Sequence, residues 1–146
     1  MTKILIKKLS KKVILPKYET DGSSGMDLAA CINETIIIQP NNKAIIPTGI
    51  SLSIPKGFEI QIRPRSGLAA KNTLTVLNTP GTIDSDYRGE IKVIIINLGI
   101  TEFKVEDKLR IAQMVLCPVI KAEFEEVDNL NMTTRGEGGF GSTGTK

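Results

Sequence analysis

The chain has 146 residues, 40% hydrophobic and 24% charged, with a net charge of +3, the profile of one folded domain with a core of its own. It contains no histidine, no tryptophan and two cysteines. Those counts exclude Ser–His–Asp triads, Cys–His pairs and histidine-built or all-thiolate zinc sites, so any general base is a carboxylate, lysine or tyrosine and any metal a hard, oxygen-held ion, magnesium first.

The N-terminal stretch "MTKILIKKLSKK" is basic, but its apolar part is only "ILI", too short for a secretory h-region. No apolar run approaches the roughly 18 residues of a membrane span. The expectation is a cytoplasmic protein without a membrane partner. Lys7, Lys8, Lys11 and Lys12 form the one dense basic run and read as solvated surface. A nucleic-acid stripe needs more Lys and Arg with aromatics between them, so no nucleic-acid partner is expected. Cys31 and Cys117 each lie in an apolar stretch and read as buried free thiols.

Short β-branched runs then follow one another: "TIIIQ" (35–39), "KAIIPTGISLSI" (43–54), "FEIQI" (58–62), "LTVL" (74–77), "IKVIIINL" (91–98) and "RIAQMVLCPV" (110–119). Pro, Gly, Asn and Asp separate them, which predicts an all-β sandwich or barrel. "FEIQIR" alternates as a half-buried strand does. "VIIIN" does not alternate and predicts a strand buried on both faces, as at a subunit interface. "SGLAAKN" (66–72) is the one helical stretch, with Ser66 suited to the N-cap. The last segment, 135–146, is set apart from the β domain at 1–134. Five of the ten residues from Gly136 to Thr145 are glycine and Phe140 is its one large apolar group, so it predicts a mobile tail.

Three stretches are suited to anions. "RPRSGLA" (63–69) joins two guanidinium groups to a serine at a helix start. "KLRIAQ" (108–113) adds Arg110 and Gln113, and "RGEGGFGSTG" (135–144) offers an arginine, close backbone N–H groups and hydroxyls. The acids Asp27, Asp84, Asp86 and Asp107 stand near them in sequence. Asp84 and Asp86, two apart, share a face if the backbone there is extended, or serve a turn if it is not. Acids beside anion clamps point to a polyphosphate with magnesium, a carboxylate taking the proton of attacking water.

With these motifs in order, "SGMDLAA" (24–30), "RPRSGLA" (63–69), "NTPGTIDSDYRGE" (78–90), "DKLRIAQMV" (107–115) and "RGEGGFGSTG" (135–144), the chain resembles the trimeric dUTPases. Met26 departs from the pattern, since the family usually has an aromatic there. The resemblance implies a jelly-roll fold with one short helix, and hydrolysis of dUTP to dUMP and pyrophosphate. It implies that Asp84 is the general base for water attacking the α-phosphorus, in a β-hairpin pocket for deoxyuridine. Tyr87 would pack on the deoxyribose and exclude a 2′-hydroxyl. Asn78 and the backbone of Thr82, Ile83 and Asp84 would read the uracil edge, while Asp86, Arg88 and Glu90 would brace the hairpin. Arg65, Ser66, Gly67 and Gln113 would bind the phosphates, with Lys92 near the substrate. Mg2+ would ride on the phosphates and meet Asp27 through water. From the tail, Arg135 would reach the γ-phosphate, Phe140 would stack on uracil, and Gly141, Ser142 and Thr143 would wrap the phosphates. The active form would be a homotrimer whose sites draw on all three chains. The related dCTP deaminases share the jelly roll, but deaminate with a glutamate near the hairpin, where this chain carries "DSDY".

Overall fold

The computed structural model describes residues 2–139. Eleven strands and one helix are present among them. In chain order they are β1 (Leu5–Lys8), β2 (Met26–Ala29), β3 (Ile36–Ile38), β4 (Lys43–Pro47), β5 (Ile50–Ser53), β6 (Phe58–Arg63), α1 (Ser66–Asn72), β7 (Leu74–Val76), β8 (Gly81–Ile83), β9 (Lys92–Asn97), β10 (Phe103–Val105) and β11 (Arg110–Pro118). Every pairing is antiparallel. A four-stranded sheet of order β2-β11-β6-β8 and a three-stranded sheet of order β4-β9-β7 are joined by the ribbons β1-β5 and β3-β10. These sheets are open, so the described residues form the sandwich alternative of the jelly roll and not a closed barrel.

The core is aliphatic. Leu28, Ile46, Ile60, Ile91, Val93 and Ile111 from both sheets are buried in one cluster. A β-branched core suits pleated strands, because the branched side chain packs well across neighbouring strands. Met26 packs against this cluster, partly buried, in the place where the resembling family has an aromatic. The one buried amide, Asn97 at the end of β9, is fully used: Nδ2 donates to Ile38 O at 2.9 Å and Thr101 O at 2.8 Å, and Oδ1 accepts from Gly99 N at 2.9 Å.

Several expectations change on the structure. The run 43–54 is two strands, broken at Gly49, whose φ of +70° bends the chain so that β4 and β5 join different sheets. A Cβ there would stand 2.5 Å from Val13 Cγ2 and 2.8 Å from Cys31 Sγ, so the corner admits only glycine. Within a single chain "VIIIN" alternates: Val93, Ile95 and Asn97 are buried, while Ile94 and Ile96 form a half-buried second face, the face a subunit interface would cover. Cys31 and Cys117 are half-buried rather than buried. The helix is capped by Arg65 with no side-chain cap bond, and Ser66 is already helical, because Arg65 itself holds the extended conformation that ends the β6 connection. Of the basic run, Lys12 is drawn in: its Nζ hydrogen-bonds Ile32 O and Asn33 Oδ1 and pairs with Asp107 at 3.3 Å.

Candidate active site

Two separate constellations hold the predicted residues. The first lies on the four-stranded sheet. β11 runs down its middle and sets Gln113 opposite both Asp27 of β2 and Arg63 of β6. A bulge between Arg110 and Ala112 adds one residue to β11. Residues three apart on a regular strand point to opposite faces, so Arg110 and Gln113 would part company; the inserted residue returns Arg110 to the side of Asp27. There Arg110 donates to Asp27 Oδ2 at 3.1 Å and pairs with Glu19 at 3.3 Å. Arg65, one step before the helix, donates from Nε to Asp27 Oδ1 at 2.9 Å and from Nη1 to Arg110 O at 3.1 Å.

Asp27 is thus gripped on both oxygens, half-shielded from solvent, by two guanidinium groups. Gln113 folds its Oε1 over Gly25, where a Cβ would come within 2.6 Å, and donates to Pro64 O at 3.1 Å. Ser66 and Gly67 stand exposed at the start of α1 beside this cluster. Arginine pairs of this kind can donate to phosphate oxygens in place of a carboxylate, since both anions present a pair of oxygens spaced to take the fork's two N–H groups.

The second constellation follows β8. The chain leaves the strand at Asp84 and turns, with Tyr87 N donating to Asp84 O at 3.2 Å. The expected β-hairpin is replaced by a crossing: β8 pairs with β6 and β9 pairs with β4 and β7, so residues 84–91 step from one sheet to the other. The backbone at Asp84 and Asp86 is a turn, so the two acids do not share a strand face. Arg88 closes the turn, donating from Nη1 to Ser85 O at 2.7 Å and Tyr87 O at 2.9 Å. This bend frames a cavity of about 240 Å³ lined by Thr82, Ile83, Asp84, Tyr87, Glu90 and Lys92, with Ile45 and Ile94 as an apolar wall.

Five predicted residues therefore meet in one small cavity: Thr82, Ile83, Asp84, Tyr87 and Lys92. Asp84 also borders a larger cavity of about 710 Å³ that carries Lys56, Arg88 and Lys121. β8 is an edge strand, so one side of its backbone is free to bond a ligand. Asn78 does not line the small cavity; its amide lies against Gly81. Asp27, Arg65, Ser66, Gly67 and Gln113 do not line it either, so one chain does not bring its phosphate clamp to its own Asp84 cavity. Arg135 donates to Gly138 O at 2.8 Å in a turn of its own. Phe140, Gly141, Ser142 and Thr143 lie outside the described residues.

Sequence reasoning missed Ile45 and Ile94. They face each other across β4 and β9, and the half-exposed face of an isoleucine strand was the available signal. Asp107, grouped with the site acids on sequence, serves the fold instead. It accepts from Ile32 N at 2.9 Å, and that bond, with Lys12 alongside, holds its carboxyl below the ordinary carboxylate range against the opposing cost of burial.

The fold and this pair of sites define an all-β protein with a small ring-sized cavity ending on a carboxylate and a separate double-arginine anion clamp. The dUTPase family model matches residues 11–144. The deoxyuridine 5'-triphosphate nucleotidohydrolase of Brucella melitensis is 57% identical over 138 residues, 93% of this chain and 88% of that protein. That of a Hydrogenobaculum species is 54% identical over 144 residues, 99% of each chain. Among solved structures, the dUTPase of Staphylococcus bacteriophage 80alpha with dUPNHPP superposes with a TM-score of 0.89 at 27% identity, covering 99% of each chain. The chain belongs to the dUTPase family.

Proposed function

We propose that this enzyme hydrolyses dUTP to dUMP and pyrophosphate, with Asp84 as the base that takes a proton from water attacking the α-phosphorus. The observation that carries the reading is the cavity closed by Asp84 and Tyr87 over the free edge of β8. Uracil offers two acceptors and one N–H on its pairing edge, which a free strand edge can match and cytosine mispairs with. The deoxyribose then rests against Tyr87, and Asp84 stands exposed at the mouth, where the α-phosphate emerges. Carboxylate-assisted attack of this kind is worth about two to four orders of magnitude in rate.

Arg65, Ser66, Gly67 and Gln113 hold the phosphates. Arg65 and Arg110 both pair with Asp27, so an arriving triphosphate competes for the guanidiniums and releases the carboxylate. Among the described residues no group of three or more acids or thiols could hold a metal alone. A single carboxylate fits an ion carried in by the phosphates, because Mg2+ keeps several of its waters. When bound, magnesium would draw charge from the phosphate oxygens, with Asp27 meeting its water shell.

The same reading includes a homotrimer with shared sites. Its support is the separation of clamp and cavity on one chain, together with the arm after β11, where Ile120, Phe124, Leu130 and Met132 are 87–100% exposed. Apolar groups in that number want cover from another copy. Arg135, Phe140, Gly141, Ser142 and Thr143 would close over the nucleotide last, as a lid distinct from the domain at 1–134. The setting is the cytoplasmic nucleotide pool; no helix among the described residues is long and apolar enough to cross a membrane.

The test is to give the purified protein dUTP, dCTP, dTTP and UTP in turn, each with magnesium, and to follow pyrophosphate and ammonia. Pyrophosphate from dUTP alone is expected. Ammonia from dCTP, or silence with all four, would refute the assignment.

A further inference from the structure

The Tyr87 ring has an unusual seat. It lies flat on the chain that follows it: a Cβ placed on Gly89 would come within 2.3 Å of Tyr87 Oη and 2.5 Å of Cζ. Its hydroxyl donates to the backbone carbonyl of Glu90 at 3.0 Å. The height of the ring over the cavity is therefore set by where residues 89–90 are held.

Glu90 holds them with its side chain. Oε1 accepts from Gly49 N at 2.9 Å, tying the loop to the β4–β5 corner. That corner is itself buried and hydrogen-bonded: Thr48 Oγ1 donates to Ile91 O at 2.6 Å and Ile91 N to Ile50 O at 2.9 Å. Oε2 stands 3.8 Å from Lys92 Nζ, a cation of the same cavity. One residue thus joins the ring, the buried corner and the lysine. Asp86 and Arg88, by contrast, reach neither Tyr87's hydroxyl nor the corner; Arg88 bonds only carbonyls of its own turn.

We propose that Glu90 is a positioning residue for sugar discrimination: its carboxylate, through Gly49 and through the carbonyl that receives the Tyr87 hydroxyl, fixes the ring at the height that excludes a 2′-hydroxyl. This rests on the reading of Tyr87 as the wall against deoxyribose. Glu90→Ala removes the acceptor for Gly49 N and lets residues 89–90 shift, so the ring has room to yield to a ribose. Glu90→Gln keeps an acceptor oxygen for Gly49 N while losing the charge opposite Lys92. Gly89→Ala leaves Glu90 intact but puts a methyl group where the ring lies, so it lifts the ring by a separate route.

The readout is the ratio of kcat/KM for dUTP to that for UTP, measured on the full-length enzyme alongside thermal melts. A residue that merely stabilises the loop lowers both substrates alike and leaves the ratio unmoved. The expected result is a ratio reduced by roughly tenfold or more in E90A and G89A, and held within about twofold in E90Q. An unchanged ratio in E90A or G89A, or an equal loss for both nucleotides, overturns the proposal. So does an E90Q ratio as low as that of E90A, since the Gly49 bond would then not be what matters. If the unmodified enzyme itself fails to discriminate dUTP from UTP, the reading of Tyr87 falls first and this inference with it, a result that the variant series alone cannot produce.

Discussion

Arg65 donates from Nε to Oδ1 of Asp27 at 2.9 Å, so the residue proposed for phosphate and the residue proposed for the metal are in direct contact with each other. Arg110 takes the other oxygen at 3.1 Å. The two roles are therefore coupled. Asp27→Asn removes the anion that occupies both guanidiniums, and the freed arginines should bind a non-hydrolysable dUTP analogue without magnesium at least as tightly as before. The magnesium needed for half-maximal turnover should rise, by about tenfold, because an outer-shell partner is lost. Calorimetric titration without metal, beside a magnesium titration of activity, checks both halves. Weaker metal-free binding together with an unshifted magnesium requirement would show that Asp27 is only a scaffold for Arg65.

Asp84 gives a cleaner separation of binding from chemistry. It lies past the end of β8 in a turn whose backbone bond, Tyr87 N to Asp84 O, does not involve the side chain. Asp84→Asn keeps shape and turn and loses only the ability to take a proton. Binding of dUTP, by equilibrium titration, should stay within a few-fold, while kcat falls by about a hundredfold or more. A variant that turns over near normally would move the base elsewhere, and Lys92, in the same cavity, would be the next candidate.

The fold class was legible because β-branched runs and turn residues are local signals, and seven of the eleven strands among the described residues follow them. Strand register and bulges, which depend on partners across space, left no such local mark. "VIIIN" reads as uniformly apolar, yet its register against β4 and β7 sends Val93 and Ile95 inward and leaves Ile94 to wall the cavity. The bulge at Arg110–Ala112 has no mark in "KLRIAQ", although it decides that Arg110 reaches Asp27. β1, wholly exposed and held only by pairing with β5, has no hydrophobic pattern to betray it. The motifs picked out candidate residues, but a linear motif does not tell that they form two groups on one chain. Such grouping comes from which sheet each strand joins.

Asp107 makes a prediction about acid. Its carboxylate accepts from Ile32 N and pairs with Lys12, and its pKa is lowered in the folded chain relative to the unfolded one. A depressed folded pKa means that the unfolded state binds the proton more readily. The stabilisation is complete above the ordinary aspartate value near pH 4 and fades as pH falls through the lower, folded value. Asp107→Asn should therefore melt at a lower temperature than the parent at neutral pH, with the gap closing as pH is taken below about 4. Thermal melts across that range read it directly. A gap of constant size would mean that the side chain's shape, not its charge, supports the 31–33 segment.

The last prediction concerns the end of the chain. Among the described residues no member of the buried core lies beyond β11; the cluster ends with Met114, and Leu116 packs on its edge. Residues from Ile120 to Met132 are exposed and make no strand. Truncation after Met132 removes Arg135 and the glycine-rich segment with Phe140, yet deletes none of the core residues among those described and leaves the apolar arm available to a neighbouring copy. The shortened protein should keep its melting temperature within a few degrees and its assembly state by sedimentation. Its kcat/KM for dUTP should drop by about two orders of magnitude, the scale of a lost closing element and phosphate contact. The partition matters as much as the size. A lid that orders only around the nucleotide acts on the reacting complex, so kcat should fall along with the rise in KM. If KM alone moves, the segment adds affinity without contributing to the transition state. If neither moves, the four tail residues Phe140, Gly141, Ser142 and Thr143 have no part in the site, and the clamp of Arg65 and Gln113 must suffice for the triphosphate.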